Sequence, residues 1–193
     1  MINPSVSAKT VGELVALARK SPAKLNYASP GYGTSLHLAA ELFKASEKID
    51  IVHVPYKGGS QSTTDLIAGQ VQMYFGNASE LIPHASGQLK LYTVSAAAPL
   101  PTLPGVPTVA SLFPGFIVTS WNGLIAPAGL PGPIAEKLAA AAIAAARDPM
   151  IAQRLVALGI DPVGSTAAEF EATFAREQPL YAQAVEAAGL KPQ

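Results

Sequence analysis

The first half of the chain alternates between short apolar runs of the strand type and helical stripes, and this alternation restricts the fold most. The strand-type runs are Leu25–Ala28, Ile51–Val54, Val71–Phe75 and Leu89–Val94. The segments between them leave room for helices of about a dozen residues. Strands separated by such helices form βαβ units, which build a mostly parallel sheet. The sequence therefore predicts an α/β domain in its first half.

Local signals place the helices of this half. Thr10 and Glu13 form a capping box, in which each side chain accepts from a free backbone N–H group at the start of a helix. Glycine at position 69 is predicted to end a later helix as its C-cap. Two of the predicted helices end near Lys20 and near Lys48. A third begins at Gly58–Ser60, and a fourth spans Ser79–Ser86.

The second half is predicted to contain mainly helices, and the two halves meet near Ala97–Pro107. The four prolines of Pro99–Pro107 predict an irregular connector. A long strand is expected at Phe116–Ile125 and a short one at Ile160–Val163. The apolar faces of the helices need a sheet to cover, and this half supplies little of one. Those helices are Pro133–Arg147, Asp148 to Gly159, and a last helix that begins at the capping box Thr166-x-x-Glu169. Pro179 lies inside this last helix and is predicted to kink or split it.

Composition and charge exclude several classes of function. Lys and Arg number 13, as do Asp and Glu, and this zero net charge argues against a nucleic-acid partner. The absence of cysteine removes disulfides and thiolate chemistry. No apolar run approaches the roughly 20 residues of a membrane span, so we expect no direct membrane insertion. The segment Met1–Thr10 has no signal-peptide pattern, which predicts either a cytoplasmic protein or a processed or truncated chain.

The segment Ser29–Ser35, which we call the glycine loop, joins a predicted strand to a predicted helix. Open α/β sheets bind ligands at this position. Glycine lets the backbone approach a ligand, and the first N–H groups of a helix attract anions. The alternative is an ordinary tight turn with a threonine N-cap. The candidate ligand-binding residues of the loop are Ser29, Gly31, Gly33, Thr34 and Ser35.

The segment Lys57–Ser60, which we call the second loop, repeats this arrangement after the next strand. Its candidate ligand-binding residues are Lys57, Gly58 and Ser60, and the alternative is a solvated lysine beside a capped helix. Asn77 follows a third strand and is interpreted either as a donor to the ligand or as the cap of a helix at Ser79. Trp121 is interpreted either as a cleft residue or as part of the core.

Five segments resemble, in order, the Bug/TctC family of periplasmic substrate-binding proteins, which serve tripartite tricarboxylate transporters. The resemblance covers essentially the whole chain and implies a type II, Venus-flytrap periplasmic-binding-protein fold. It also implies a small carboxylate ligand, membrane transporter subunits as partners of the full-length protein, and a periplasmic location. The segments are Leu25–Thr34 with His37, His53–Gly59, Asp65–Val71, Leu103–Thr108 and Trp121–Gly129.

The family pattern predicts how the chain divides. Residues 1–100 correspond to a complete α/β ligand-binding domain. Residues 101–193 correspond to a linker, a crossing strand and the helix-rich end of a second domain that is only partly present. Trp121 is then expected near the floor of the cleft. Gly76 stands where the family often has an acidic residue, which weakens the assignment of Asn77. Because the opposite wall of the cleft belongs to the absent segment, we expect this chain alone to bind its ligand weakly.

Three other functions compete with a solute receptor. A ligand-sensing domain shares the bilobed fold but needs an attached DNA-binding or signalling segment, which the sequence does not show. An enzyme needs a nucleophile beside a base, and the pair of His37 with Ser29 or Ser35 is the only arrangement that fits. An inert remnant would expose apolar surface and form a homo-oligomer. The three histidines lack metal-ligand spacing, which argues against a metal site. Of these functions we predict a non-catalytic receptor, without metal or cofactor.

Overall fold

The structure is a computed structural model that describes residues 1–85, 87–96, 98–114 and 116–190. Ser86, which ends a predicted helix, and Ala97, which begins the predicted junction of the two halves, lie outside the described residues. None of the described helices is both long enough and apolar enough to cross a membrane. The elements are α1 (Val11–Lys20), β1 (Asn26–Ser29), α2 (Ser35–Glu47), β2 (Val52–Pro55), α3 (Gly59–Ile67), β3 (Met73–Tyr74), α4 (Ala78–Leu81), a 3-10 turn (Ile82–His84), α5 (Val109–Leu112), α6 (Gly132–Arg147), α7 (Pro149–Ala157) and α8 (Ala167–Ala187).

The chain divides into two compact units, and the first contains the sheet. This unit is Met1–Ser120 together with the chain from Tyr181 onward, and the second is Trp121–Leu180. Within the first unit, Val94 and Thr108 form a parallel bridge, so the proline-rich connector packs on this unit. The predicted domain division after residue 100 remains a prediction.

The sheet has three parallel strands in the order β2-β1-β3. Asn26 of β1 lies opposite Val52 of β2, and Tyr27 lies opposite Met73 of β3. Tyr27 and Ala28 are both 0% exposed, because the central strand is covered on both faces. This confirms the predicted α/β fold with a parallel sheet.

The two faces of the sheet support separate hydrophobic clusters. Successive residues of a strand point to opposite faces, so Tyr27 enters one cluster and Ala28 the other. The first cluster takes in α1 and α2 through residues that include Val11, Leu14, Val15, Ala40 and Phe43. The second takes in α3 and α4 through Leu66 and Leu81, with Val71, Tyr74 and Leu89.

Several helix signals are confirmed. Thr10 Oγ1 accepts from the Glu13 amide at 3.2 Å, and Glu13 returns a bond to the Lys9 amide at 2.8 Å. The second capping box has the same reciprocal bonds between Thr166 and Glu169. Asp148 accepts from the first amides of α7 at 3.0 Å.

The predicted strands outside the three-stranded sheet are wrong. Within the described residues, Phe116–Ile125 and Ile160–Val163 form no strand, and Leu89–Val94 makes only single bridges at Lys90 and Val94. The predicted crossing strand is reduced to hydrogen bonds between Val118 and Ser95. A strand needs a neighbouring strand for its backbone groups, and no described strand runs beside these segments.

Pro179 does not split the last helix, so of the two predicted effects, a kink or a split, the split is wrong. Helix α8 runs from Ala167 to Ala187 with Pro179 inside it. In the second unit, none of the residues 121–180 is buried, and large apolar side chains such as Ile125 and Met150 are exposed by 81% and 63%. These helices thus have apolar faces without a sheet among the described residues, as the sequence predicts.

Asn3 connects the N-terminal segment to the end of α3. Its Nδ2 donates to the carbonyl oxygens of Leu66 at 2.7 Å and Ile67 at 3.2 Å, and its Oδ1 accepts from the Ser5 amide at 2.9 Å. The residue is only 6% exposed. Asn3 therefore adds a side-chain donor to the carbonyl groups at the end of α3, of which that of Leu66 also accepts from the Gly69 amide at 3.1 Å.

We expect Asn3→Ala to lower the free energy of unfolding by about 1–3 kcal/mol, because it removes a buried side chain that donates to the Leu66 and Ile67 carbonyl oxygens and accepts from the Ser5 amide. Urea denaturation of the two proteins measures this difference. The matched control is Gln61→Ala, at an exposed position of the same helix, which we expect to change stability by less than about 0.5 kcal/mol. Equal stability of the wild type and Asn3→Ala would contradict the assigned role.

Candidate ligand-binding site

The glycine loop and the second loop lie side by side at the carboxyl ends of β1 and β2. The Tyr56 amide donates to the Ser29 carbonyl oxygen at 2.9 Å. A Cβ atom on Gly31 would lie 3.5 Å from the Tyr56 carbonyl oxygen. Ser62 Oγ connects the loops further, since it lies 3.2 Å from the Ser29 carbonyl oxygen and 3.1 Å from that of Gly58. The two loops thus form one continuous edge above the sheet.

The glycine loop holds its shape through its own hydrogen bonds. The Gly31 amide donates to Ser29 Oγ at 3.2 Å, and Thr34 Oγ1 donates to the Gly31 carbonyl at 2.9 Å. The Gly33 amide donates to His37 Nδ1 at 3.2 Å. Gly31 and Gly33 have φ angles of 145° and 72°, which favour glycine. The two glycine amides that the sequence predicts as ligand donors are therefore used inside the loop in this structure.

Further donors lie at the start of α2. Thr34 Oγ1 caps the helix by accepting from the His37 amide at 3.3 Å. The amides of Ser35 and Leu36 and the Ser35 hydroxyl meet no acceptor among the described residues. The N-terminus of a helix carries a partial positive charge, so these groups favour an anion.

A stack of rings adjoins the glycine loop, with Tyr27 and His37 buried and His53 partly buried. The His37 and His53 rings stack with their centroids 4.1 Å apart, and Tyr27 stacks on His53 at 4.8 Å. Tyr32 meets His53 edge-on at 4.9 Å. His53 Nε2 and Ser29 Oγ share a hydrogen bond of 2.7 Å. The stack therefore joins β1, β2 and α2 immediately behind the loop.

Burial keeps both imidazole rings neutral. It lowers the pKa of His53 to about 4, with a further contribution from the adjacent His37. It also lowers the pKa of His37. A neutral His37 is what the geometry requires, because Nδ1 can accept from the Gly33 amide only while it carries no proton. Glu41 accepts from Tyr27 and pairs with Lys44 at 2.8 Å, which completes the polar part of the cluster.

The nucleophile and base named from the sequence do not meet. His37 bonds to Gly33, and no hydrogen bond joins it to Ser29 or Ser35 among the described residues. Ser29 pairs instead with His53, but Ser29 is 0% exposed and its hydroxyl also contacts the backbone of Gly31. This serine supports the loop and is closed to a substrate.

The second loop combines a free cation with a carboxylate from another element. Lys57 is exposed and has no ion pair within the described part of the chain. Gly58 has a φ angle of 132°, and Ser60 is exposed. The Glu80 carboxylate lies directly against Gly59, the first residue of α3, and leaves no room for a Cβ atom there.

Glu80 is fixed by two donors. Tyr74 Oη donates to Glu80 Oε2 at 2.9 Å, and Asn77 Nδ2 lies 3.4 Å from Oε1. Asn77 Oδ1 accepts from Ser120 Oγ at 2.8 Å. Asn77 occupies the N-cap position of α4, as one of its two interpretations expects, but its side chain makes no capping bond. Its predicted contact with a ligand remains a prediction.

Trp121 belongs to the second unit and is 40% exposed, so it is not a core residue. Its ring meets Phe170 and Phe174 at centroid distances of 4.9 and 4.7 Å. Its indole N–H donates to Glu177 Oε2 at 3.2 Å. The predicted place of Trp121 in a cleft remains a prediction.

This geometry agrees with the family that the chain matches. Residues 1–189 match the TctC family, described as the tripartite tricarboxylate transporter family receptor. The chain belongs to this family. A UPF0065 protein in the tcbD-tcbE intergenic region of Pseudomonas sp. (strain P51) is 36% identical over 159 residues, which cover 81% of this chain and 47% of that protein.

Solved structures confirm the predicted fold. The structure of R. palustris Rpa4515 with adipate matches this chain with a TM-score of 0.92 and 28% sequence identity. The match covers 100% of this chain and 65% of Rpa4515. The periplasmic binding protein BugD has a TM-score of 0.86 at 27% identity, with coverages of 100% and 66%. MatC (Rpa3494) from Rhodopseudomonas palustris with bound malate scores 0.84 at 27% identity, with coverages of 95% and 64%. The chain spans about half the length of the first curated relatives it matches.

Two residues of the site were missed in the sequence. His53 carries a signal that could have found it, since strand periodicity places Tyr27 and Ser29 on one face and the parallel register puts His53 beside them. Glu80 carries a weaker signal. It stands three residues after Asn77, in the spacing of a capping box, but that spacing does not show that its carboxylate reaches α3.

We expect the stability of the protein to fall as the pH drops from about 6.5 to about 4. In this window the unfolded chain binds a proton on His53 that the folded protein does not bind, so protons favour unfolding. One such group contributes at most about 1.4 kcal/mol per pH unit. Urea denaturation at several pH values should show a smaller slope for His53→Gln and an unchanged slope for the control His84→Gln. Equal slopes in all three proteins would contradict the neutral stack.

Proposed function

We propose that this chain is the carboxylate-binding part of a solute receptor for a tripartite tricarboxylate-type transporter. The observation that supports this most is the start of α2, where the Ser35 and Leu36 amides have no acceptor among the described residues. Two of the solved relatives hold small carboxylates, since Rpa4515 was solved with adipate and MatC with bound malate.

In this proposal the ligand carboxylate accepts from the Ser35 and Leu36 amides. The helix that presents them is 13 residues long, which is enough for a macrodipole. Hydrogen bonds to a charged group contribute about 1.5–3 kcal/mol each. His37 and His53 are neutral, so they place no charge behind the loop. Such a site holds a carboxylate without a nucleophile or a cofactor, so the proposed protein is a receptor and not an enzyme.

The remaining predicted residues have different roles in the proposal. Ser29, Gly31 and Gly33 shape the loop, and Thr34 caps the helix. Lys57 supplies a mobile positive charge beside the carboxylate, with Gly58 and Ser60 next to it. Asn77 is proposed to approach another part of the ligand, and the place of Trp121 in a cleft remains a prediction. Transporter subunits as partners, and a periplasmic location, are proposed from the family.

We expect Ser35→Pro to weaken carboxylate binding about tenfold or more, because it removes one N–H donor worth about 1.5–3 kcal/mol. Proline suits the first position of a helix, and the extended Thr34, with φ −69° and ψ 154°, suits the residue before it. A ¹⁵N NMR titration with hexanoate and adipate measures the affinity, with the Leu36 amide as reporter.

The matched control is Ser35→Ala, which keeps the amide and loses only the hydroxyl. We expect it to bind within a few-fold of the wild type. Denaturation of both variants should confirm that α2 remains folded. If Ser35→Pro binds hexanoate as tightly as Ser35→Ala, the ligand does not use this amide and the proposed site is wrong.

A further inference from the structure

We propose that Glu80 determines the specificity of the carboxylate site, so that the preferred ligand carries an amine at the end away from its carboxylate. This inference rests on the proposed function. It comes from the second loop, where the N-terminus of α3 is already approached by the protein's own carboxylate.

Two hydrogen-bond donors hold the Glu80 carboxylate where it lies against Gly59. Tyr74 Oη donates to one oxygen at 2.9 Å, and Asn77 Nδ2 lies 3.4 Å from the other. Tyr74 is only 1% exposed, so the donor that holds Glu80 is itself fixed in the core.

The Glu80 carboxylate has no ion pair in the part of the chain that the structure describes. Its two neighbours Tyr74 and Asn77 are uncharged donors. A carboxylate has about four acceptor positions, so this one can accept further hydrogen bonds. Glu80 is partly exposed, so a ligand group can reach it.

The two ends of the site therefore differ in charge preference. The start of α2 offers free amides, which favour an anion. The start of α3 carries an anion, which repels a second carboxylate and attracts a cation. The loops are adjacent, because Ser62 Oγ contacts the carbonyl oxygens of both Ser29 and Gly58. A short ligand with a carboxylate at one end and an ammonium group at the other matches both ends.

Three probes of equal chain length test this inference. Hexanoate has one carboxylate, adipate has a second at the far end, and 6-aminohexanoate has an ammonium group there. We expect the wild type to bind 6-aminohexanoate about tenfold or more tightly than adipate, with hexanoate between them. A ¹⁵N NMR titration that follows the Ser35 and Leu36 amides measures all three affinities without requiring a variant.

Glu80→Gln removes the charge and keeps the size of the side chain. We expect it to bind adipate more tightly and 6-aminohexanoate more weakly, so that the ratio falls about tenfold, while hexanoate is unaffected. The control is Asp50→Asn, which removes an exposed carboxylate before the start of β2, at the opposite end of the sheet. It should leave the ratio unchanged.

The outcomes separate the two proposals. If hexanoate does not shift the Ser35 and Leu36 amides, the proposed carboxylate site fails. If hexanoate binds but the wild type does not prefer 6-aminohexanoate to adipate, only the role of Glu80 fails. The same holds if Glu80→Gln, confirmed as folded by its denaturation midpoint, keeps the wild-type ratio.

Discussion

The hydrogen bond between Ser29 and His53 is the contact on which the candidate site depends. It joins the last residue of the central strand to the neighbouring strand at 2.7 Å, directly below the glycine loop. The Ser29 hydroxyl also accepts from Gly31, while the stacked His37 accepts from Gly33. Two loop amides are thus turned inward, while the Ser35 and Leu36 amides that begin α2 meet no acceptor among the described residues.

This arrangement requires imidazole rings without charge, and the packing supplies that condition. Burial disfavours the charged form of both rings, and their mutual contact at 4.1 Å makes a second proton unfavourable. A protonated His37 could not accept from Gly33, so the loop would lose one of its internal bonds. The pKa shifts of the stack and the shape of the loop are therefore two results of the same packing.

The sequence was sufficient where short-range rules decide the structure. The parallel sheet, both capping boxes and the positions of the two loops follow from periodicity and from residues three or four apart. It was insufficient where distant residues decide. Phe116–Ile125 has the composition of a strand, yet no described strand lies beside it to accept its hydrogen bonds. The contact of Glu80 with Gly59 likewise depends on how α4 packs on α3.

The glycine loop and the second loop show why similar motifs need not have similar chemistry. Each follows a parallel strand, contains glycines with positive φ and precedes a helix, and on these grounds both are predicted to bind an anion.

The difference between the two loops comes from a third element. The start of α2 meets no acidic side chain among the described residues, whereas the start of α3 has Glu80 against its first residue. A helix N-terminus attracts anions, and at the start of α3 a carboxylate of the protein is already close. A ligand carboxylate is therefore attracted less strongly there. The charge that a site prefers is thus determined by the side chains that surround the motif as well as by the motif itself.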